Sequence, residues 1–231
     1  AIREDNCYYV DKTRFIEKVE NANKFFFFIR PRRFGKSLTM SMLQHYYDIN
    51  KADKFEQLYG GLYIGDHPTE NHNKYLVINL NFAVIDAELG NYRESMDAHC
   101  RTEFYMFCMR YAHLLPTSFK ENLMKETGAV KQLDYLYKTC NEAGLKIYLF
   151  IDEYDHFTNN ILSDATRMEE YKQETHGTGY LRTFFDTIKA GTYSSIERVF
   201  VTGVSPVTLD DLTSGFNIGT NYSLSYKFNE M

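Results

Sequence analysis

The chain has no tryptophan and only four prolines, at positions 31, 68, 116 and 206. So few prolines exclude a Pro-rich linker and leave long uninterrupted helices and strands possible. Cysteine is equally scarce. Cys7, Cys100, Cys108 and Cys140 include no C-x-x-C pair, and the seven histidines are scattered without zinc-like spacing. This argues against a disulfide scaffold or a structural zinc site, and reduced thiols fit a cytoplasmic setting. No apolar run approaches the ~20 residues that span a bilayer, and no secretory signal is visible. The formal net charge of −5 gives no overall attraction to nucleic acid or to an anionic membrane. Aromatic residues, in contrast, are abundant: 19 Tyr and 18 Phe in 231 residues, enough for a large core and incompatible with disorder. The chain opens in mid-pattern without a methionine, so it is expected to be part of a longer polypeptide.

Hydrophobic periodicity predicts strands over 24–29, 75–82, 146–151 and 198–202. Helical spacing predicts helices over 12–19, 37–49, 91–115, 119–126, 130–141 and 180–190, with Gly144 and Gly191 as stop signals. Residues 155–178 read as loop with some helix, and the stretch after position 202 carries no assignable element. Strands alternating with helices imply an α/β fold with a mostly parallel sheet. The near-continuous apolar runs Phe25–Ile29 and Tyr148–Ile151 suit strands covered on both faces.

Two segments carry chemistry. The first is Arg30-Pro31-Arg32-Arg33-Phe34-Gly35-Lys36-Ser37, set between an apolar strand and a helix. A Gly-Lys-Ser/Thr triplet alone arises by chance in roughly one chain in ten of this length. Its strand–loop–helix setting is what identifies a phosphate-binding P-loop. Backbone N–H groups and the helix N-terminus would cradle phosphates. Lys36 would reach the β and γ phosphates, and Ser37 would ligate magnesium. Arg32 and Arg33 could help to hold the anion. The pattern G-x-x-x-x-G-K-[ST] is broken at its first glycine, where Arg30 stands, so the first turn of the loop must differ.

The second segment is Tyr148-Leu149-Phe150-Ile151-Asp152-Glu153, a buried-type strand that ends in two acids. Ligands bind at the carboxyl ends of parallel strands. Asp152 is the candidate for magnesium and Glu153 for orienting or deprotonating an attacking water. Asp155 is a weaker candidate for a supporting contact. Thr202, ending the fourth strand, could contact the γ phosphate or the water. No arginine follows Arg198, so an arginine finger from beyond the fourth strand would come from another subunit or from sequence outside these residues.

At these residues the sequence resembles the bacterial AAA-ATPase-like family, whose members are often fused to a C-terminal PD-(D/E)XK nuclease-like domain. Tyr9-Val10-Asp11-Lys12-Thr13, Arg30 to Leu38, Ile151-Asp152-Glu153-Tyr154-Asp155, Thr202-Gly203-Val204-Ser205-Pro206 and Phe216-Asn217-Ile218 carry the resemblance, which covers nearly the whole chain. It makes Arg30 a family trait. It implies a three-layer α/β/α P-loop NTPase core over residues 1–231, lacking a lid and the nuclease-like region. The fourth strand would lie between the Walker A and Walker B strands. The resemblance implies ATP and Mg²⁺ as ligands. Arg32, Arg33, Phe34, Gly35, Lys36, Ser37 and Leu38 would hold the nucleotide, Ser37 and Asp152 the metal, and Glu153, Lys36 and Thr202 would serve catalysis.

Three functions are compatible with the sequence. One is an Mg-dependent ATPase driving conformational change in attached or partner domains, possible partners being further copies of the chain or the nuclease-like domain. Another is a nucleotide switch without turnover. The third is a nucleic-acid or partner-binding module with a vestigial nucleotide site, against which the acidic charge counts.

Overall fold

A computed structural model describes residue 3 and residues 7–85, 92–162, 169, 179–206, 219–222, 225–228 and 231. The fold starts with a short helix, α1 (Phe15–Glu20), and a strand, β1 (Phe25–Ile29), in which every residue is buried. Helix α2 (Lys36–Tyr47) follows a six-residue loop, and two short helices, α3 (Phe55–Tyr59) and α4 (Tyr63–Asp66), lead into β2 (Leu76–Asn81). Helices α5 (Tyr92–Arg110), α6 (Phe119–Lys125) and α7 (Ala129–Glu142) precede β3 (Ile147–Asp152). Then come α8 (His156–Leu162), α9 (Tyr180–Gly191), β4 (Ile196–Gly203) and a three-residue β5 (Gly219–Asn221).

The strands form one sheet in the order β2-β3-β4-β1-β5, and every neighbouring pair is parallel. β4 therefore sits between β1 and β3, as the resemblance implies. The Phe-rich runs are explained by the two cores. Phe25, Phe27, Leu149 and Val201 point to one face, where α5, α6, α7 and α9 pack. Phe26, Phe28, Tyr148, Phe150 and Phe200 point to the other, against α1, α2 and Tyr59. Phe26 stacks on Phe200 with ring centroids 5.2 Å apart, which ties β1 to β4 through side chains as well as through the ladder. With helices on both faces, the central stretches of β1, β3 and β4 read as near-continuous apolar runs, and polar residues fall near the strand ends.

Two boundaries differ from the sequence reading. α5 ends at Arg110, not near Leu115, because Leu114 and Leu115 both donate to the Tyr111 carbonyl and close a tight turn. The predicted start of that helix, Asn91, lies outside the described residues, as do most of 155–178 and Phe216-Asn217-Ile218. Gly191 is the last residue of α9 and not its cap; a Cβ there would lie 2.4 Å from the Ile196 side chain, so the glycine is a close-packing requirement. Gly144 does end α7 as read. It takes φ +70°, and Leu145 N–H bonds Cys140 C=O at 2.8 Å while Gly144 N–H bonds Asn141 C=O at 3.0 Å. That pair of bonds is a Schellman motif.

All four cysteines are free thiols; Cys100, Cys108 and Cys140 are buried and Cys7 is exposed. Among the described residues, no helix is long and apolar enough to cross a membrane.

Candidate functional site

The loop between β1 and α2 departs from β1 through one more ladder contact: Arg30 N–H donates to Gly203 C=O at 3.1 Å. Its backbone then turns twice into the left-handed region, at Arg33 (φ 69°) and Gly35 (φ 75°). Such alternation turns successive N–H groups toward one concavity. At Gly35 nothing lies within 4 Å of an added Cβ, so glycine is required there by φ and not by space. The first helical bond of α2 runs from Thr39 N–H to Gly35 C=O, 2.9 Å. The N–H groups of Gly35 to Leu38 precede it and have no intrahelical acceptor. Gly35, the N-cap, supplies no side chain to satisfy them.

Lys36 is nearly buried, and its ammonium donates to Arg30 C=O at 2.9 Å and Pro31 C=O at 3.2 Å. The lysine thus holds the loop over its own helix start and retains a third donor. Ser37 is exposed beside it, and Arg32, Arg33, Phe34 and Leu38 are exposed around the loop.

The second segment arrives from β3. Ser37 Oγ lies 3.4 Å from Asp152 Oδ2. The other carboxylate oxygen, Oδ1, accepts from Thr202 Oγ1 and from Glu153 N–H, the latter at 3.0 Å. Thr202 is fully buried, and its hydroxyl finds in Asp152 the acceptor that burial demands. Glu153 adopts φ 53°, a conformation that costs an L residue about 1–2 kcal/mol. Among the described residues its carboxylate makes no hydrogen bond. β1, β3 and β4 thus bring Lys36, Ser37, Asp152, Glu153 and Thr202 to one edge of the sheet. The donor set between Ser37 and Asp152 is all oxygen, a hydroxyl and one carboxylate, which fits a hard divalent ion.

Several contacts were not legible in the sequence. The Arg30 side chain donates from Nη2 to Phe228 C=O at 3.0 Å, and its guanidinium lies 4.8 Å from the centre of the Phe28 ring. Arg30 replaces the usual glycine because its side chain, not its backbone, has a task. The Tyr9-Val10-Asp11-Lys12-Thr13 segment is a staple. Asp11 accepts from Thr13 N–H at 2.8 Å, Thr13 Oγ1 at 2.6 Å and Tyr63 N–H at 2.8 Å, while Ile64 N–H donates to Thr13 Oγ1 at 3.1 Å. Burial works to raise the Asp11 pKa, and the bonds from Thr13 and Tyr63 outweigh it and hold it below its usual value. The staple fixes Tyr8, Tyr9 and Val10 beside α2. There they form, with Phe34, Leu38 and Met42, a cleft of about 290 Å³ that reaches Gly35. A motif of short polar residues next to tyrosines is the signal that sequence reading had and could not place.

A parallel sheet that delivers a Gly-Lys-Ser loop and an acid pair to one edge defines a P-loop NTPase-like protein. The particular family follows from comparison: the family described as AAA-ATPase_like, Predicted AAA-ATPase, matches residues 1–213, and the chain belongs to it. Membership supports a nucleotide-binding role. A curated relative from Azotobacter chroococcum mcd 1, "Uncharacterized protein in vnfD 5'region", is 26% identical over 231 residues. The match covers 100% of this chain and 40% of the relative, so the chain spans less than half of that protein's length. No solved structure matches the chain.

Proposed function

We propose that residues 1–231 act as an ATPase core that binds Mg-ATP at the β1–α2 loop and hydrolyses it. The observation that carries this reading is the approach of Ser37 Oγ to Asp152 Oδ2, 3.4 Å, between residues 115 apart in sequence. Two solvent-facing oxygens from separate motifs converge beside a helix start with unsatisfied N–H groups, and phosphate with a divalent ion is the chemistry that suits both.

In this reading the N–H groups of Gly35 to Leu38 take the β-phosphate oxygens, and the Lys36 ammonium takes the β and γ oxygens. Arg32 and Arg33 add positive charge around the loop. Ser37 and Asp152 hold Mg²⁺. Bound there, the ion would offset negative charge on the phosphate oxygens. Glu153 orients the attacking water and accepts its proton, and Thr202 fixes the Asp152 carboxylate from behind. Catalysis of this kind rests on positioning and fixed charge. The base occupies the cleft between Tyr8, Tyr9 and Val10 on one side and Phe34 and Leu38 on the other. A mostly apolar slot of about 290 Å³ beside the phosphate loop suits a planar ring.

Coupling to neighbouring parts of the protein is supported by Arg30. Its contact to Phe228 joins the phosphate loop to residues 225–228, so a loop that moves with its ligand would pull on that segment. Magnesium-dependent release of phosphate from ATP tests the proposal. A protein that binds Mg-ATP without releasing phosphate is a switch and not an ATPase; one that binds no nucleotide contradicts both.

A further inference from the structure

Asp155 is fully buried, and among the described residues Asp48 is the one other buried acid. An ionised carboxylate in that position is tolerated only when its oxygens are fully engaged. Asp155 stands in the turn between β3 and α8, and its partners come from α8 and from the loop after β4. Val204 N–H donates to both oxygens, at 3.2 and 3.0 Å, Ser205 N–H donates to Oδ2 at 2.6 Å, and Asn159 Nδ2 donates to Oδ2 at 2.7 Å. The residue before it grips the same loop. Tyr154 N–H bonds Thr202 C=O at 3.1 Å, and the Tyr154 hydroxyl donates to Ser205 C=O at 2.6 Å. The backbone of Ser205 is therefore held at both of its polar groups, by a carboxylate at its N–H and by a phenol at its C=O. Gly203 makes room for this grip: a Cβ there would sit 2.5 Å from Asp155 Oδ1 and from the Tyr154 ring.

The gripped loop begins at Thr202, whose hydroxyl bonds Asp152, and continues through Gly203, whose carbonyl accepts from Arg30. Fixing residues 203–205 thus fixes one neighbour of the acid pair and one neighbour of the phosphate loop together. Packing alone would place an apolar side chain at position 155. A carboxylate aimed at two backbone N–H groups specifies where that loop stands.

We infer that Asp155 is a positioning residue for the hydrolytic step. Its carboxylate clamps the Val204 and Ser205 amides so that Thr202 stays bonded to Asp152, with Tyr154 as the second jaw of the clamp. The inference rests on the ATPase reading above.

Steady-state ATP hydrolysis is measured for the wild type, Asp155→Asn, Tyr154→Phe, Thr202→Val and the double variants with Thr202→Val. Asp155→Asn turns an acceptor oxygen into an amide facing N–H donors. It is expected to lower kcat about tenfold or more while KM for ATP stays within about threefold. Tyr154→Phe, which removes one hydroxyl and keeps the ring, lowers kcat by a smaller factor in the same manner. In the Thr202→Val background each change has less than about twofold further effect, because the bond that the clamp protects is already gone. Hydrogen exchange at the Val204 and Ser205 amides rises in Asp155→Asn. If that variant fails to fold, Tyr154→Phe decides alone. An active wild type with unchanged kcat in both single variants overturns the clamp and leaves the ATPase reading standing. Full additivity with Thr202→Val overturns the route through Thr202. A wild type that binds Mg-ATP without turnover overturns the hydrolysis reading, and the clamp's role with it.

Discussion

Asp152 ends β3 and Thr202 is the penultimate residue of the adjacent parallel strand β4, each one residue beyond the Ile151–Val201 pair, and the threonine hydroxyl donates its hydrogen bond to the aspartate. The relationship orders the site. One carboxylate oxygen of Asp152 is engaged by Thr202 and the Glu153 amide, and the other is turned toward Ser37. In the proposed reading, the oxygen engaged by the protein orients the one that would face the ion.

Glu153→Gln is expected to retain Mg-ATP binding and to lose hydrolysis by at least ~100-fold, the scale of a general base. The amide keeps the size and can keep the left-handed backbone at position 153, but it cannot accept a proton. Phosphate release and calorimetry on the same preparation check this. Hydrolysis at the wild-type rate would remove Glu153 from the chemistry.

Two glycines beside the site are required for different reasons, and alanine separates them. At Gly203 φ is not positive, but the added methyl meets Asp155 and the Tyr154 ring at 2.5 Å. Overpacking of that kind costs about 1–3 kcal/mol, which lowers the thermal midpoint by ~2–4 °C per kcal/mol in a chain of this size. At Gly35 the methyl meets nothing, and the cost is conformational strain of about 1–2 kcal/mol at φ 75°. Thermal melts give the midpoints, and relief of the Gly203→Ala penalty by Tyr154→Ala marks the steric case.

His99 predicts a pH dependence. Burial holds its pKa below the usual 6.5, with Glu103 opposing in part, and its Nε2 accepts from Asn81 N–H at 3.2 Å. The unfolded chain therefore takes up the proton first as pH falls. The histidine's contribution is fully present above pH 6.5 and is lost as pH drops through 6.5 toward the depressed folded value. Protonation also puts a second donor against the Asn81 amide. Melts between pH 8 and 5.5 should show a decline in the wild type that His99→Gln, which accepts without titrating, does not share. Parallel pH profiles would exclude His99.

Much of this architecture was legible in the chain. The four longer strands lie within about two residues of their predicted ends, because strands covered on both faces read as largely apolar runs. β5 was not legible: it is three residues long, Gly219-Thr220-Asn221, and is a strand only because Phe25 to Phe27 offer it a ladder. Lys36, Ser37, Asp152, Glu153 and Thr202 were each singled out by type and position, and the strand order brings them together. The clamp at Asp155, the Arg30–Phe228 contact and the Tyr8–Val10 wall of the cleft depend on pairings across 49 or more residues, 198 residues and the staple to α4. No local pattern encodes such pairings.

The central claim, that the β1–α2 loop is a nucleotide site, is tested most directly by calorimetric titration of Mg-ATP into the wild type and Lys36→Ala. The lysine's removal deletes the one buried cation at the loop while leaving the β1–α2 backbone its glycine and helix. The account predicts magnesium-dependent, saturable heat for the wild type and its loss in Lys36→Ala, which remains folded with a thermal midpoint lowered by the loss of the lysine's bonds to Arg30 and Pro31 C=O. Equal affinity in both proteins would contradict it.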